Sequence, residues 1–123
     1  MKALSIKQPW VYAILYLGKN IENRSWNTNF RGEFLIHAPL TFDLQGYDFL
    51  LKNYGNIPKN IEDFKRGGIL GKIQLIDVLK PENNNINMWS EPNKYGFVLK
   101  NPRLFNFIEY KGELKFFDIN LDF

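Results

Sequence analysis

Cysteine is absent from this 123-residue chain, and histidine occurs once. That rules out a disulfide framework, a thiolate metal site and a thiol nucleophile. A single imidazole also leaves a zinc site short of its usual set of His and Cys ligands. Long hydrophobic runs are missing: nothing approaches the roughly 20 apolar residues of a membrane span. The opening Met1-Lys2-Ala3-Leu4-Ser5-Ile6-Lys7 is broken by charge before a signal-peptide core can form. A cytoplasmic protein with no metal, cofactor or membrane partner is the expectation. Charge of one sign is scarce as well. Sixteen Lys+Arg against 13 Asp+Glu leave a net charge of +3, an excess that permits an anionic partner without requiring one.

What the chain does have is aromatic weight, 16% Phe, Tyr and Trp, within an ordinary 45% hydrophobic and 24% charged composition. Small barrels fill their interiors with such rings, so core packing accounts for most of them and base stacking for a few. The length suits one domain, here taken as 1–123, with a single core. Residues 3–6 read as a first strand. Pro9 then fits the first position of a short helix whose stripe is Trp10, Ala13, Ile14 and Leu17, and Gly18 fits its stop. Residues 21–28 can run extended, with Glu22, Arg24, Trp26 and Thr28 on one face. Strands are expected at 33–38, 69–79, 95–100 and 113–119, and a second helix over 44–54 with Leu44, Tyr47, Leu51 and Tyr54 inward. Residues 81–94 read as a polar loop containing Asn83-Asn84-Asn85, anchored by Trp89. The fold class that follows is α+β, a mixed, partly open β-barrel of five or six strands with about two peripheral helices.

Two segments go further. Leu4-Ser5-Ile6-Lys7-Gln8-Pro9-Trp10 followed by Gly18-Lys19-Asn20-Ile21-Glu22-Asn23-Arg24 resembles the ASCH family of the PUA-like superfamily, whose signature is G-x-K-x-x-E-x-R or a close spacing variant. The spacing here is G-K-x-x-E-x-R, with the family's Lys, Glu and Arg at Lys19, Glu22 and Arg24. Arg31-Gly32, Leu35-Ile36-His37-Ala38, Gly71-Lys72-Ile73, Tyr95-Gly96-Phe97-Val98-Leu99 and Lys111-Gly112 resemble later blocks in the same order. The resemblance implies a PUA-like barrel with a cleft beside its first helix, and RNA or a nucleotide as partner. It also admits hydrolysis, since some relatives are amidohydrolases of N4-acetylcytidine nucleosides or have ribonuclease activity.

The residues themselves say what such a cleft would hold. Lys19 directly follows a helix end, a placement that favours its protonated form. Glu22 and Arg24, two apart on an extended segment, emerge from one face. The planar Arg24 guanidinium suits a phosphate or a base edge. The Glu22 carboxylate can accept from an exocyclic amine or a ribose hydroxyl, or simply hold its two cationic neighbours as an ion-pair network. Trp10 divides between core and stacking, whereas Trp26 is the better stacking candidate. Lys7 and Gln8 precede a helix N-terminus, where N–H groups can meet phosphate. The expected ligand-binding set is therefore Lys7, Gln8, Trp10, Lys19, Glu22, Arg24 and Trp26, with RNA or a nucleotide as the ligand. Were the chain an enzyme, Lys19 and Glu22 would be its catalytic residues. The acetylcytidine hydrolases, however, carry a Thr about three residues beyond the motif Lys, where this chain has Glu22, so the reading leans away from catalysis. His37, alone in an apolar strand, reads first as a structural residue.

Overall fold

The structure, a computed structural model, describes residues 1–120. Six strands, β1 (Lys2–Ser5), β2 (Ile21–Arg24), β3 (Gly32–Ala38), β4 (Gly68–Leu79), β5 (Tyr95–Glu109) and β6 (Phe116–Asp118), make one curled sheet. Their order is β2-β5-β4-β3-β1-β6. β1 runs parallel to β3, and the other pairings are antiparallel. β2 and β6 end the sheet without pairing to each other, so the barrel is partly open and its class is the α+β one expected.

Alternation explains how β3 holds the middle. Phe34, Ile36 and Ala38 enter the barrel interior with Leu4, Ile73 and Phe97, while Leu35 joins Ala3, Ile69 and Phe117 on the opposite face. The run Phe34–Ala38 is buried throughout because both faces of the strand are covered. Truncating Phe34 or Phe97 to Ala would cost about 3–5 kcal/mol. β5 continues well past the expected 95–100: Asn101, with φ of 59°, and Pro102 lie within it, and its pairing with β4 shifts register three times. Bulges let the strand bend around the barrel, and they also blur its alternation in the sequence.

Two helices cap one end, α1 (Trp10–Tyr16) and α2 (Leu44–Asn53). α1 has only seven residues and stands because Val11, Ala13 and Ile14 are buried between two core clusters. Pro9 is its N-cap, one position earlier than expected. Gly18, at φ +76°, reverses the chain, and the Lys19 N–H turns back onto the Ala13 carbonyl at 3.0 Å. In α2 the buried residues are Gly46, Tyr47 and Leu50, whereas Leu44 and Leu51, expected inward, are 61% and 46% exposed. The reason is Trp10. Its indole lies so close to Gly46 that a Cβ there would stand 2.7 Å from the ring, so the helix turns its glycine face to the tryptophan.

Candidate functional site

A cavity of about 1360 Å³ opens between the α1–β2 corner, the start of α2, the loop before β5 and the segment joining β5 to β6. Its lining carries seven Lys/Arg and five Asp/Glu, so its bias is cationic but shallow. Lys7, Trp10, Lys19, Glu22 and Arg24 all reach it. Of the expected set, Gln8 and Trp26 do not.

Gln8 is buried in the scaffold. Its Nε2 donates to the Lys65 carbonyl at 3.0 Å and its Oε1 accepts from the Tyr12 N–H at 2.9 Å. Trp26 packs edge-on against Phe97 and Phe116, with ring centroids 5.3 and 5.9 Å away. β2 ends at Arg24, yet the Arg24 guanidinium still lies 6.0 Å from the Trp26 ring centroid, so the two side chains stay neighbours beside the cavity.

The three motif side chains occupy one wall. Lys19 is 4% exposed. Its ammonium donates to the Ile21 carbonyl and lies 4.9 Å from the Trp10 ring centroid and 5.8 Å from that of Trp89. Burial pulls the Lys19 pKa below its ordinary value, and the Glu22 and Glu91 carboxylates only partly restore it. Its position after a helix end was expected to favour the proton; in the folded protein desolvation outweighs that placement. Glu22 is 7% exposed and accepts from Arg24 Nε at 3.0 Å. A second arm of the same guanidinium, Nη2, donates to the Ser5 carbonyl at 2.7 Å. Arg24 is thereby clamped at two points, and Nη1 has no partner among the described residues. Such a clamp presents N–H donors to a ligand with little rotamer entropy left to lose.

Asp43 stiffens the same wall. One carboxylate oxygen caps α2 by accepting from the Gly46 N–H at 2.9 Å, and the other accepts from the Trp10 indole N–H at 2.8 Å. Trp10 packs beside Phe49 and stands edge-on to Trp89 with an interplanar angle of 88°. Both readings of Trp10 hold in part: one side of the ring is packed and another lines the cleft.

Trp89 and Glu91 were not among the expected site residues. They belong to the loop before β5, which Asn84 ties down: its Nδ2 faces Asn23 Oδ1 and the Glu91 and Lys94 carbonyls at 2.9–3.1 Å. Asn23 returns the grip through Nδ2 to the Trp89 carbonyl at 3.0 Å. The sequence signal was there in the form of one large ring in a polar loop, but nothing local tells which wall it joins. His37 and Ser5 also reach the cavity, next to Arg24. Ser5 Oγ lies 2.9 Å from His37 Nδ1, and His37 Nε2 lies 2.6 Å from the Tyr110 carbonyl. Burial lowers the His37 pKa, and the Tyr110 carbonyl opposes that shift. Among the described residues no group of three or more His, Asp or Glu side chains could hold a metal ion, and no helix is long and apolar enough to cross a membrane.

Comparison with known proteins agrees with this geometry. The human protein activating signal cointegrator 1 is 31% identical over 115 residues, an alignment covering 81% of this chain and 19% of that protein. The chain thus corresponds to about a fifth of that relative's length. The sequence profile of the ASCH domain matches residues 4–120, nearly the whole chain from the first strand to the last, and with the barrel and the Lys19–Glu22–Arg24 wall in place the chain belongs to the ASCH domain family.

Proposed function

We propose that this domain binds RNA and holds one nucleotide of it in the cleft beside α1. The observation that carries this reading is the clamped Arg24. A guanidinium fixed by Glu22 and by the Ser5 carbonyl, facing a cavity with a cationic bias, is suited to a phosphate or a base edge. Trp10 and Trp89 supply aromatic surface beside it, and base–aromatic contact contributes about 1–3 kcal/mol per base. The buried Lys19 contributes positive potential at the cleft floor, in surroundings that screen it weakly.

Hydrolysis through Lys19 and Glu22 has one observation in its favour, the lowered Lys19 pKa, which a Lys base requires. Two others weigh against it. The Lys19 ammonium is spent on the Ile21 carbonyl, and the Glu22 carboxylate on Arg24. Recognition is the better use of the same three groups.

Titration of a labelled single-stranded RNA, followed by anisotropy at several salt concentrations, tests the reading. Binding is expected to weaken with salt with a shallow slope, reflecting few phosphate contacts, and to quench tryptophan emission from Trp10 and Trp89. Retention of full affinity by Arg24→Ala would defeat it.

A further inference from the structure

Beside the motif the cleft carries a nucleophile–base arrangement that recognition does not use. Ser5 ends β1, and His37 is its direct register partner on β3, so two adjacent parallel strands place the hydroxyl and the imidazole side by side. The contact between Ser5 Oγ and His37 Nδ1 is 2.9 Å. On the far side of the ring, Nε2 lies 2.6 Å from the Tyr110 carbonyl. A carbonyl oxygen only accepts, so Nε2 carries the ring proton. Nδ1 is then the lone-pair nitrogen, and the Ser5 hydroxyl donates to it. Hydroxyl, base and a third group that fixes the base's tautomer are the three parts an activated serine needs. Both side chains line the same cleft as Arg24, whose guanidinium is hydrogen-bonded to the carbonyl of Ser5 itself. Positive charge is therefore anchored on the backbone of the residue that carries the hydroxyl.

Two features set the class of substrate. The orienting group is a neutral carbonyl and not a carboxylate, so it stabilises an imidazolium less than an acid would. The pair is accordingly matched to a leaving group that departs readily, the alcohol of an ester, more than to the amine of an amide. Gly112 lies directly over the pair: a Cβ there would overlap both the His37 ring and the Ser5 hydroxyl. The backbone thus shields one side and leaves the approach from the cleft.

We propose that Ser5 and His37 form a nucleophile–base pair giving this domain an acyl-ester hydrolase activity in the cleft, beside the Lys19–Arg24 motif. Ser5 Oγ attacks the ester carbonyl carbon while its proton passes to His37 Nδ1. The bond to the leaving oxygen breaks as that oxygen takes the proton from Nδ1, leaving an acyl–Ser5 ester. Water then adds to the same carbon and gives a proton to Nδ1. Ser5 departs reprotonated, so ester and water become acid and alcohol. The other ring proton stays on Nε2 throughout, donated in a hydrogen bond to the Tyr110 carbonyl.

The test is covalent trapping. The domain is incubated with a fluorophosphonate probe and, separately, with p-nitrophenyl acetate, and the probe adduct is located by intact mass and peptide mapping. One adduct per chain is expected, on Ser5, with release of nitrophenolate. Ser5→Ala should lose both signals, and His37→Gln should slow adduct formation by about 100-fold or more, with circular dichroism confirming that each variant is folded. Absence of a Ser5 adduct on the unaltered protein overturns the proposal. So does a Ser5 adduct that forms equally fast in folded His37→Gln. RNA affinity is measured on the same samples: trapping without RNA binding would defeat the recognition reading alone, and RNA binding without trapping would defeat this one alone.

Discussion

The two walls of the cleft are built from different materials. The motif wall holds formal charges, Lys19, Glu22 and Arg24, each already committed to a protein partner and two of them buried. The adjoining wall holds a serine and a histidine joined by a hydrogen bond, with a second hydrogen bond from the imidazole to a backbone carbonyl. Charges taken from water must be paired to be tolerated, which makes the motif wall rigid and selective. The neutral pair requires no such compensation, so its atoms are free to exchange a proton. One wall is equipped to hold a ligand and the other to alter one.

The largest effect expected from breaking this asymmetry is at Arg24. Arg24→Ala leaves the Glu22 carboxylate, with 10% of its side chain exposed, without its cation. A loss of about 3 kcal/mol in folding stability is expected, read from urea midpoints, because an orphaned buried charge is worse than none. The double variant Arg24→Ala/Glu22→Gln should recover much of that stability while RNA affinity stays low.

Lys19→Met sharpens the same point in the opposite direction. Burial holds the Lys19 pKa below its ordinary 10.5, so folding disfavours its charged form. Melting temperature should stay level or rise, whereas RNA affinity should fall by about tenfold as a basic group is lost from the cleft floor. A matching fall in both would show Lys19 to be scaffold. Gly46→Val presses a side chain onto the Trp10 indole. It should cost about 1–3 kcal/mol through overpacking and shift the tryptophan emission, leaving Ser5 trapping intact.

The smallest effect belongs to the Ser5–His37 wall and to pH. Burial keeps the folded His37 pKa below 6.5, so folding prefers its neutral form. The stability it contributes is fully present above about pH 6.5 and is lost as pH falls through the lower folded value. Comparing urea midpoints at about pH 7.5 and pH 5 should show a drop that is smaller in His37→Gln. An equal drop in both proteins would assign the titration to other groups.

Much of the motif wall was legible in the sequence, because Lys19, Glu22 and Arg24 lie within six residues and a strand's period of two places the last two together. The barrel class was legible for the same local reason, strand by strand. What stayed hidden depends on distant contacts. The Ser5–His37 pairing spans 32 residues and the His37–Tyr110 contact 73, and only the parallel register of β1 and β3 brings the first two together. Trp26 stays beside Arg24 although β2 ends sooner than its alternation suggests, but it packs on Phe97 and Phe116, and the Gln8 amide braces the chain at Lys65 and Tyr12. The inward face of α2 was set by a tryptophan more than thirty positions away, not by its own leucines.

The doubly used carboxylate of Asp43 has a mechanical consequence. Because its two oxygens grip the start of α2 and the Trp10 indole at once, helix and ring are coupled as a lever is to its fulcrum. A ligand that presses on the indole loads the first turn of α2. Occupancy of the cleft should therefore be readable as slower amide exchange at Gly46, and Asp43→Ala should silence that reporter.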